Sequence, residues 1–431
     1  MNRERRTLLT DITGVLGSNI VSMAAVLGLS VLLSRSLGPE GYGLYTSLFA
    51  VPLIVMGLVQ LGLSRSAIFH LGNRLFPEGK TIGSIYILLI FTSLVGILFS
   101  LAGYALVGNP HFKWVWMLLI LLGIPFMLGN IYTGGIFIGR ERIRVANRLQ
   151  WMPVTLNLIL ATLLVGVMGW GITGALISML VATALIFFIG FVRVRKLFDF
   201  DAGFYPEILR SLAGKGFVYA LNFLLLQINY KVDVVLLQRM VHPKQIGYYS
   251  LGVSITEQLW LLPYAIGIVL MSRTANSKDK QQMNETTALM LRTSVPASIL
   301  GALMLVLLTP IFLPLIFGEK FAPSVAVVQT ILPGVVIFMV YRIIESYYAG
   351  LGPPLLSIRI LLVSALLNIL LNIWWIPRFG ILGAAWATNV SYSAATLVFL
   401  GFFRKESGIN WATLLLPRRS DWQRLTNKGN F

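Results

Sequence analysis

Twelve apolar runs, each long enough to cross a bilayer, leave this chain little choice of fold. A hydrocarbon core is ~30 Å thick and takes about 20 apolar residues per helix. By that measure spans fall near 12–34, 44–64, 82–107, 114–138, 147–168 and 170–192, then 216–237, 246–271, 293–317, 325–348, 355–376 and 380–403. Long polar connections appear only at 193–215 and 272–292. Hydrophobic residues are 57% of the chain and charged residues 12%, with a mean hydropathy of +0.81. Water could not solvate such a surface, so the expected fold is an all-α integral membrane protein.

The turn after the first run is repeated. Arg35, Pro39, Gly43 and Tyr45 align with Arg239, Pro243, Gly247 and Tyr249 at one offset of 204 residues. Downstream, Leu156-Asn157-Leu158 echoes Leu367-Asn368-Ile369, and Gly171-Ile-Thr-Gly-Ala175 echoes Gly380-Ile-Leu-Gly-Ala384, at offsets of 211 and 209. Matches in one order imply an internal duplication: a six-helix half over 1–192, a cytoplasmic linker over 193–215, a second half over 216–403 and a basic tail over 404–431. Six is an even number, so both copies start from the same side of the membrane. They are then expected to be related by a pseudo-two-fold axis along the membrane normal.

The net charge of +18 would suit a nucleic-acid binder, but its distribution argues otherwise. With the amino terminus in the cytoplasm, 27 of the 34 Lys and Arg fall on that side. Arg35, Lys113, Arg239, Lys244, Lys320 and Arg378 fall outside, and Lys231 lies in a span. That asymmetry is the positive-inside rule, and anionic lipid headgroups are its expected partner. Both termini are placed in the cytoplasm. Arg3, Arg5 and Arg6 before the first span read as an uncleaved anchor, and the tail with Trp411, Pro417-Arg-Arg419 and Trp422 as an interfacial segment or a solvated end.

Ionisable groups inside lipid are costly and face a cavity or a partner. Glu257 lies eleven residues into the span from Ile246, ~16 Å deep, near the bilayer centre. It is either a protonatable or cation-binding carboxylate or a carboxyl held by one neighbouring helix. Trp260 and Tyr264 follow at helical spacing, and Pro263 can loosen the helix. Asp233 and Lys231 are two apart and cannot pair within their helix. Asn222, Asn229 and Asp233 share one face, with Gln227, Lys231 and Gln238 nearly opposite. Arg342 and Glu345 form an i,i+3 pair. Other amides (Asn19, Asn130, Asn157, Asn389) are expected to join helices, and Asn368 with Asn372, one turn apart, stand out.

Several chemistries are missing from the sequence. There is no GxxxxGK[ST] loop for an ATPase and no cysteine for disulfides or thiolate metal sites. His70, His111 and His242 are scattered over loops and cannot share one metal. No cofactor is implied, and no catalytic set appears on one face.

The turn Leu33-Ser-Arg-Ser-Leu-Gly-Pro-Glu-Gly-Tyr-Gly-Leu-Tyr45 resembles that of polysaccharide-biosynthesis flippases of the O-antigen type, within the multidrug/oligosaccharidyl-lipid/polysaccharide exporters. Asp233 followed by Gly247-Tyr-Tyr249, and Pro314-Leu-Ile-Phe-Gly-Glu-Lys-Phe-Ala322, are similar to later landmarks of the same group. The resemblance implies a flippase, not an enzyme, moving an isoprenoid-diphosphate-linked oligosaccharide by alternating access. Its other partners would be glycosyltransferases or a polymerase of the same pathway. A cavity between the halves would hold the headgroup, with Arg35, Arg65, Lys231, Arg239, Arg342 and Arg359 as cations for the diphosphate. Asn368, Asn372 and Trp260 would complete the lining, and Glu257 and Asp233 would couple transport to a proton or cation gradient. The alternative is a cation-coupled exporter of small molecules, toward which Glu257 with Trp260 leans.

Overall fold

The computed structural model describes residues 2–277 and 279–415, without the side chains of 2–16, 215, 272, 276 and 415. The side chains of Arg3, Arg5 and Arg6, and the tail residues Pro417-Arg-Arg419 and Trp422, lie outside the described residues. Among the described residues the regular elements are helices: α1 Asn2–Val59, α2 Leu63–Gly72, α3 Glu78–Val107, α4 Trp114–Gly139, α5 Ile143–Ala161, α6 Gly171–Leu197, α7 Pro206–Met240, α8 Pro243–Thr256, α9 Leu261–Asn276, α10 Lys280–Phe317, α11 Ser324–Leu351, α12 Leu355–Ser407 and α13 Trp411–Leu415. Among the described residues, ten helical stretches are long and apolar enough to cross a membrane. The chain is a multi-pass membrane protein.

Two of those stretches, Gly17–Gly72 and Leu355–Ser407, hold 56 and 53 residues. At ~1.5 Å per residue each would be ~80 Å long if straight, over twice the bilayer core. They are not straight. α1 breaks at Gly38 (φ 65, ψ 179) and α12 at Gly380 (φ 58, ψ −138), angles that glycine adopts without a Cβ clash. The breaks obey the repeat. Gly38 plus 204 is His242, which lies in the gap between α7 and α8, and Gly171 (φ 57) is the counterpart of Gly380. The 193–215 segment is largely helical, because α6 runs to Leu197 and α7 begins at Pro206.

Contacts divide the chain into two units, Met1–Gln227 with His242–Gly247, and Ile228–Val241 with Tyr248–Phe431. The division falls inside α7, because the start of α7 packs with the first repeat. In lipid, burying Leu against Leu gains little over Leu against an acyl chain, so close approach and hydrogen bonds hold helices together. The first unit uses both. A Cβ on Gly43 would sit 2.0 Å from the Pro243 carbonyl oxygen, and one on Gly247 would sit 2.0 Å from that of Pro39. The two copies of the repeated turn thus meet reciprocally, each through its own glycine, as surfaces related by a two-fold do. A second close approach joins Gly216 to Leu61 and Gly62, where a Cβ on Gly216 would lie 1.8 Å from the Leu61 oxygen. Around α4, which packs on α2, α3 and α6, the Tyr132 hydroxyl donates to the Gln60 carbonyl at 3.1 Å. Leu48, Ile120 and Leu176 are fully buried nearby.

The connection between α6 and α7 is strapped down. The Asp201 amide donates to the Gly79 carbonyl at 3.1 Å, and the Asp201 carboxylate accepts from Tyr205 at 2.5 Å and from the Gly203 amide at 2.9 Å. Lys80 lies over the Tyr205 ring at 4.7 Å. His70 is not on a loop: it is buried in the last turn of α2, bonded to Ser211 at 2.9 Å.

In the second unit α11 is central and packs on α9, α10 and α12. Gly334 on α11 admits Asn389 of α12, whose side chain accepts from the Gly334 amide at 2.9 Å and donates to the Thr330 carbonyl at 2.6 Å. Met304, Leu308, Ile311 and Leu315 of α10 are more than half exposed at seven-residue periodicity. Such a stripe suits lipid and would aggregate in water.

Candidate functional site

The polar groups of the second unit gather into two clusters, and α7 places one on each side of itself. Asn229 and Asp233 are one turn apart and fully turned inward, while Lys231 points elsewhere, as the two-residue spacing requires. Asp233 is 3% exposed. Its Oδ2 accepts from Tyr249 of α8 at 2.5 Å and from Thr388 of α12 at 2.6 Å, and its Oδ1 accepts from Asn372 of α12 at 3.1 Å. A lone buried carboxylate costs several kcal/mol in desolvation. Hydrogen bonds to a charged group return ~1.5–3 kcal/mol each, so three donors offset that cost. The cluster continues from Asn372 Nδ2 to Asn368 Oδ1 at 2.9 Å, from Asn368 to Ser391 at 3.1 Å, and from Ser364 to Asn229 at 2.8 Å. Asn372 Oδ1 is buried and, among the described residues, has no hydrogen-bond partner.

The second cluster surrounds Glu257. Here the α8–α9 helix tightens into a 3-10 turn over Glu257–Trp260, a local irregularity of the kind found at hinges. Glu257 and Lys231 meet at 3.9 Å, and Arg342 and Glu345 at 3.8 Å. Both distances are at the outer edge of ion pairing, and all four side chains are partly exposed. Arg342 also donates to the Tyr230 hydroxyl at 3.3 Å. Tyr230 packs against Trp260 with ring centroids 5.0 Å apart, and Trp260 donates to the Val335 carbonyl at 3.3 Å. One aromatic wall therefore joins the two ion pairs. Tyr264 is 45% exposed.

The eleven residues singled out in the sequence thus separate. Asp233, Asn368 and Asn372 form one cluster; Lys231, Glu257, Arg342 and Trp260 form the other. Arg359 is in neither. It is exposed in the second turn of α12, beside an apolar groove. Arg35 and Arg239 are both exposed at the matching turns of the repeat, and Arg65, in the first unit, lies over the Tyr219 ring at 5.2 Å. Tyr249, Thr388, Ser364 and Tyr230 are the participants that residue type alone did not mark. Only Tyr249 carried a signal, as the last residue of the repeated turn. The remaining amides join helices as expected: Asn130 to the Thr183 carbonyl at 3.0 Å, Asn19 to Gln150 at 3.2 Å and Asn157 to Ser178 at 2.8 Å.

The model of the family described as "Polysaccharide biosynthesis protein" matches residues 8–271. The chain belongs to that family. A second model, MatE, matches residues 219–374, which include all of the Glu257 cluster and the Asp233 cluster except Thr388 and Ser391. A putative O-antigen transporter of Shigella flexneri is 25% identical over 90% of this chain and 96% of its own. A probable low-salt glycan biosynthesis flippase of Haloferax volcanii is 20% identical over 88% of this chain and 82% of its own. Among solved structures, the lipid II flippase MurJ in an inward closed conformation superposes with a TM-score of 0.73 at 18% identity, covering 93% of this chain and 90% of that one. The shared fold is, among the described residues, an all-helical membrane fold.

Proposed function

We propose that this family member is a flippase that carries an isoprenoid-diphosphate-linked oligosaccharide across the cytoplasmic membrane by alternating access. The observation that carries the reading is the pair of loosely held cations in the second unit. Lys231 and Arg342 lie within apolar helices, yet each is only 3.8–3.9 Å from its carboxylate. An incoming diphosphate can displace such partners and take charge-assisted bonds in their place. Arg35, Arg65 and Arg239 are the further cations proposed along the route, and Arg359 is set apart from it beside the apolar groove. The family match over 8–271 and relatives named as an O-antigen transporter and a glycan flippase favour this cargo over small-molecule export.

Coupling belongs to Asp233 and Glu257. Asp233 and the unpartnered Asn372 oxygen are hard oxygen ligands for a proton or a small cation. Glu257, at a helix irregularity, can exchange Lys231 for another cation when access changes. The proposed topology is twelve crossings in two halves, with both termini in the cytoplasm of the inner membrane; splitting α1 and α12 at their glycines supports the count. Ion pairs support placing the members of each pair on one side of the membrane: Arg140 with Glu78 at 2.7 Å and Lys280 with Glu406 at 2.6 Å. In this cysteine-free chain, single cysteines at Glu40 and Lys320 should label from outside with an impermeant maleimide, and those at Glu141 and Asp279 should not.

The deciding experiment is a leaflet assay in proteoliposomes with a fluorescent isoprenyl-diphosphate oligosaccharide. Movement that requires Lys231 and Arg342 is expected. Export of organic cations without glycolipid movement would establish the small-molecule exporter instead.

A further inference from the structure

α12 is a hairpin, with one arm over 355–379 and the other over 381–407, folded at Gly380. Near its cytoplasmic end the arms part and leave a cavity of about 280 Å³. Arg359, Val363 and Leu367 line one side at four-residue spacing, and Ala394, Val398 and Phe402 line the other in the same way. Each set lies along one helix face, so the walls run parallel to the membrane normal as two apolar rails. From Arg359 to Leu367 is eight residues, ~12 Å of depth. Val363, Val398 and Phe402 are 66%, 49% and 50% exposed, so the groove opens sideways to lipid.

We infer that this groove is a lipid site, in which one acyl chain of an anionic phospholipid of the cytoplasmic leaflet lies between the rails and its phosphate rests on Arg359. Arg359 is exposed in the second helical turn, within reach of headgroup level, and has no carboxylate partner among the described residues. An unpaired guanidinium above a hydrocarbon slot matches a lipid in both charge and shape. A water-soluble ligand is a poor fit, because Ser364 is the only other polar lining residue and both its bonds are made inside the protein. One cation suits the single charge of a phosphodiester. Arg404 of the other arm lies over the Trp411 ring at 4.9 Å and does not line the groove.

The groove has a consequence for the coupling cluster. Its floor residue, Ser364, donates to Asn229 at 2.8 Å and to the Ser391 carbonyl at 3.1 Å. The same two arms carry Asn372 and Thr388, which both donate to Asp233. A chain seated between the arms sets their separation and thereby the geometry around Asp233. The lipid is an effector, distinct from the cargo, and the inference stands whichever cargo the flippase moves.

The test uses the full-length protein in nanodiscs that contain phosphatidylglycerol or phosphatidylcholine with a photoactivatable acyl chain. Crosslinks mapped by peptide mass spectrometry are expected at 363–367 and 394–402, at least fivefold more with phosphatidylglycerol. Arg359→Gln should remove that preference, and Val398→Trp, a change at an exposed position that fills the groove, should remove the crosslinks with both lipids. Equal labelling by the two lipids, unchanged in Arg359→Gln, would reduce the groove to ordinary lipid contact and overturn the site. Competition by an unlabelled isoprenyl diphosphate at equimolar dose, with none by phosphatidylglycerol, would assign the groove to the cargo and overturn the phospholipid. Should Val398→Trp fail to assemble, Val363→Trp from the opposite rail gives the same readout.

Discussion

The two stretches matched by the sequence repeat break at matching places and differ in what they bury. Asn157 accepts from Ser178 in the first copy, and its counterpart Asn368 donates to Ser391 in the second; the serines do not match, since Ser178 corresponds to Ala387. Around that shared asparagine the chemistry diverges. The position matching Asp233 is Leu29, the one matching Asn372 is Ala161, and the one matching Thr388 is Met179, part of an apolar core. The first copy is therefore closed by packing, and the second carries a buried carboxylate with three donors. A duplicated membrane fold can leave one copy as scaffold and place ionisable groups in the other, because each buried charge must bring its own partners.

Making the second copy like the first should have the largest effect. Asp233→Leu copies Leu29 and leaves the donors on Tyr249, Thr388 and Asn372 without an acceptor, so membrane level and transport should both collapse. Asp233→Asn keeps the shape and should hold protein level while slowing flipping by tenfold or more and removing its dependence on an ion gradient. Wild-type flipping in Asp233→Asn would make the cluster purely structural. Next in size are Gly43→Ala and Gly247→Ala. Each places a methyl group about 2.0 Å from a carbonyl of the other turn, so the two should lower protein level or transport to a similar degree. Gly134→Ala, with nothing within 4 Å, is the silent control. A large effect at only one of the two turns would break the reciprocity.

Glu257→Gln sharpens the comparison within the second unit. It weakens the tie to Lys231 without removing hydrogen bonding, so protein level should stay near normal and the flipping rate should fall several-fold. Glu257→Leu is its companion: loss of protein there, with Gln tolerated at full rate, would mean helix packing. The smallest effect is expected at the strap of the first unit. Hydrogen bonds from Tyr205 and the Gly203 amide hold the Asp201 carboxyl below the usual carboxylate range. A lowered pKa means that the contribution is present above the unfolded value and lost as pH falls through the folded one. The strap should thus be insensitive to pH around neutrality and loosen only in acid. Asp201→Asn should show up as faster trypsin cleavage near 193–210, with transport almost unchanged.

Much of this was legible from residue order alone. Hydropathy marked the crossings, because each span is chosen by the solvent directly around it. The repeated turn was visible as Gly and Pro, and the structure explains why: Gly43 and Gly247 face each other too closely for any side chain. The Arg342–Glu345 pair also followed from helical spacing. Partners distant in sequence did not. Asp233 draws its donors from residues 16, 139 and 155 positions away, and nothing in local periodicity says which helices are neighbours. The same is true of Lys231, which finds Glu257 only because a 3-10 turn aims that carboxyl at it. Arg359 shows the limit most clearly: the sequence placed it at a span end, and only the folded α12 hairpin put it at the mouth of a groove. Solvent selects the spans residue by residue, whereas burial of charge depends on which faces meet, and that is decided by packing.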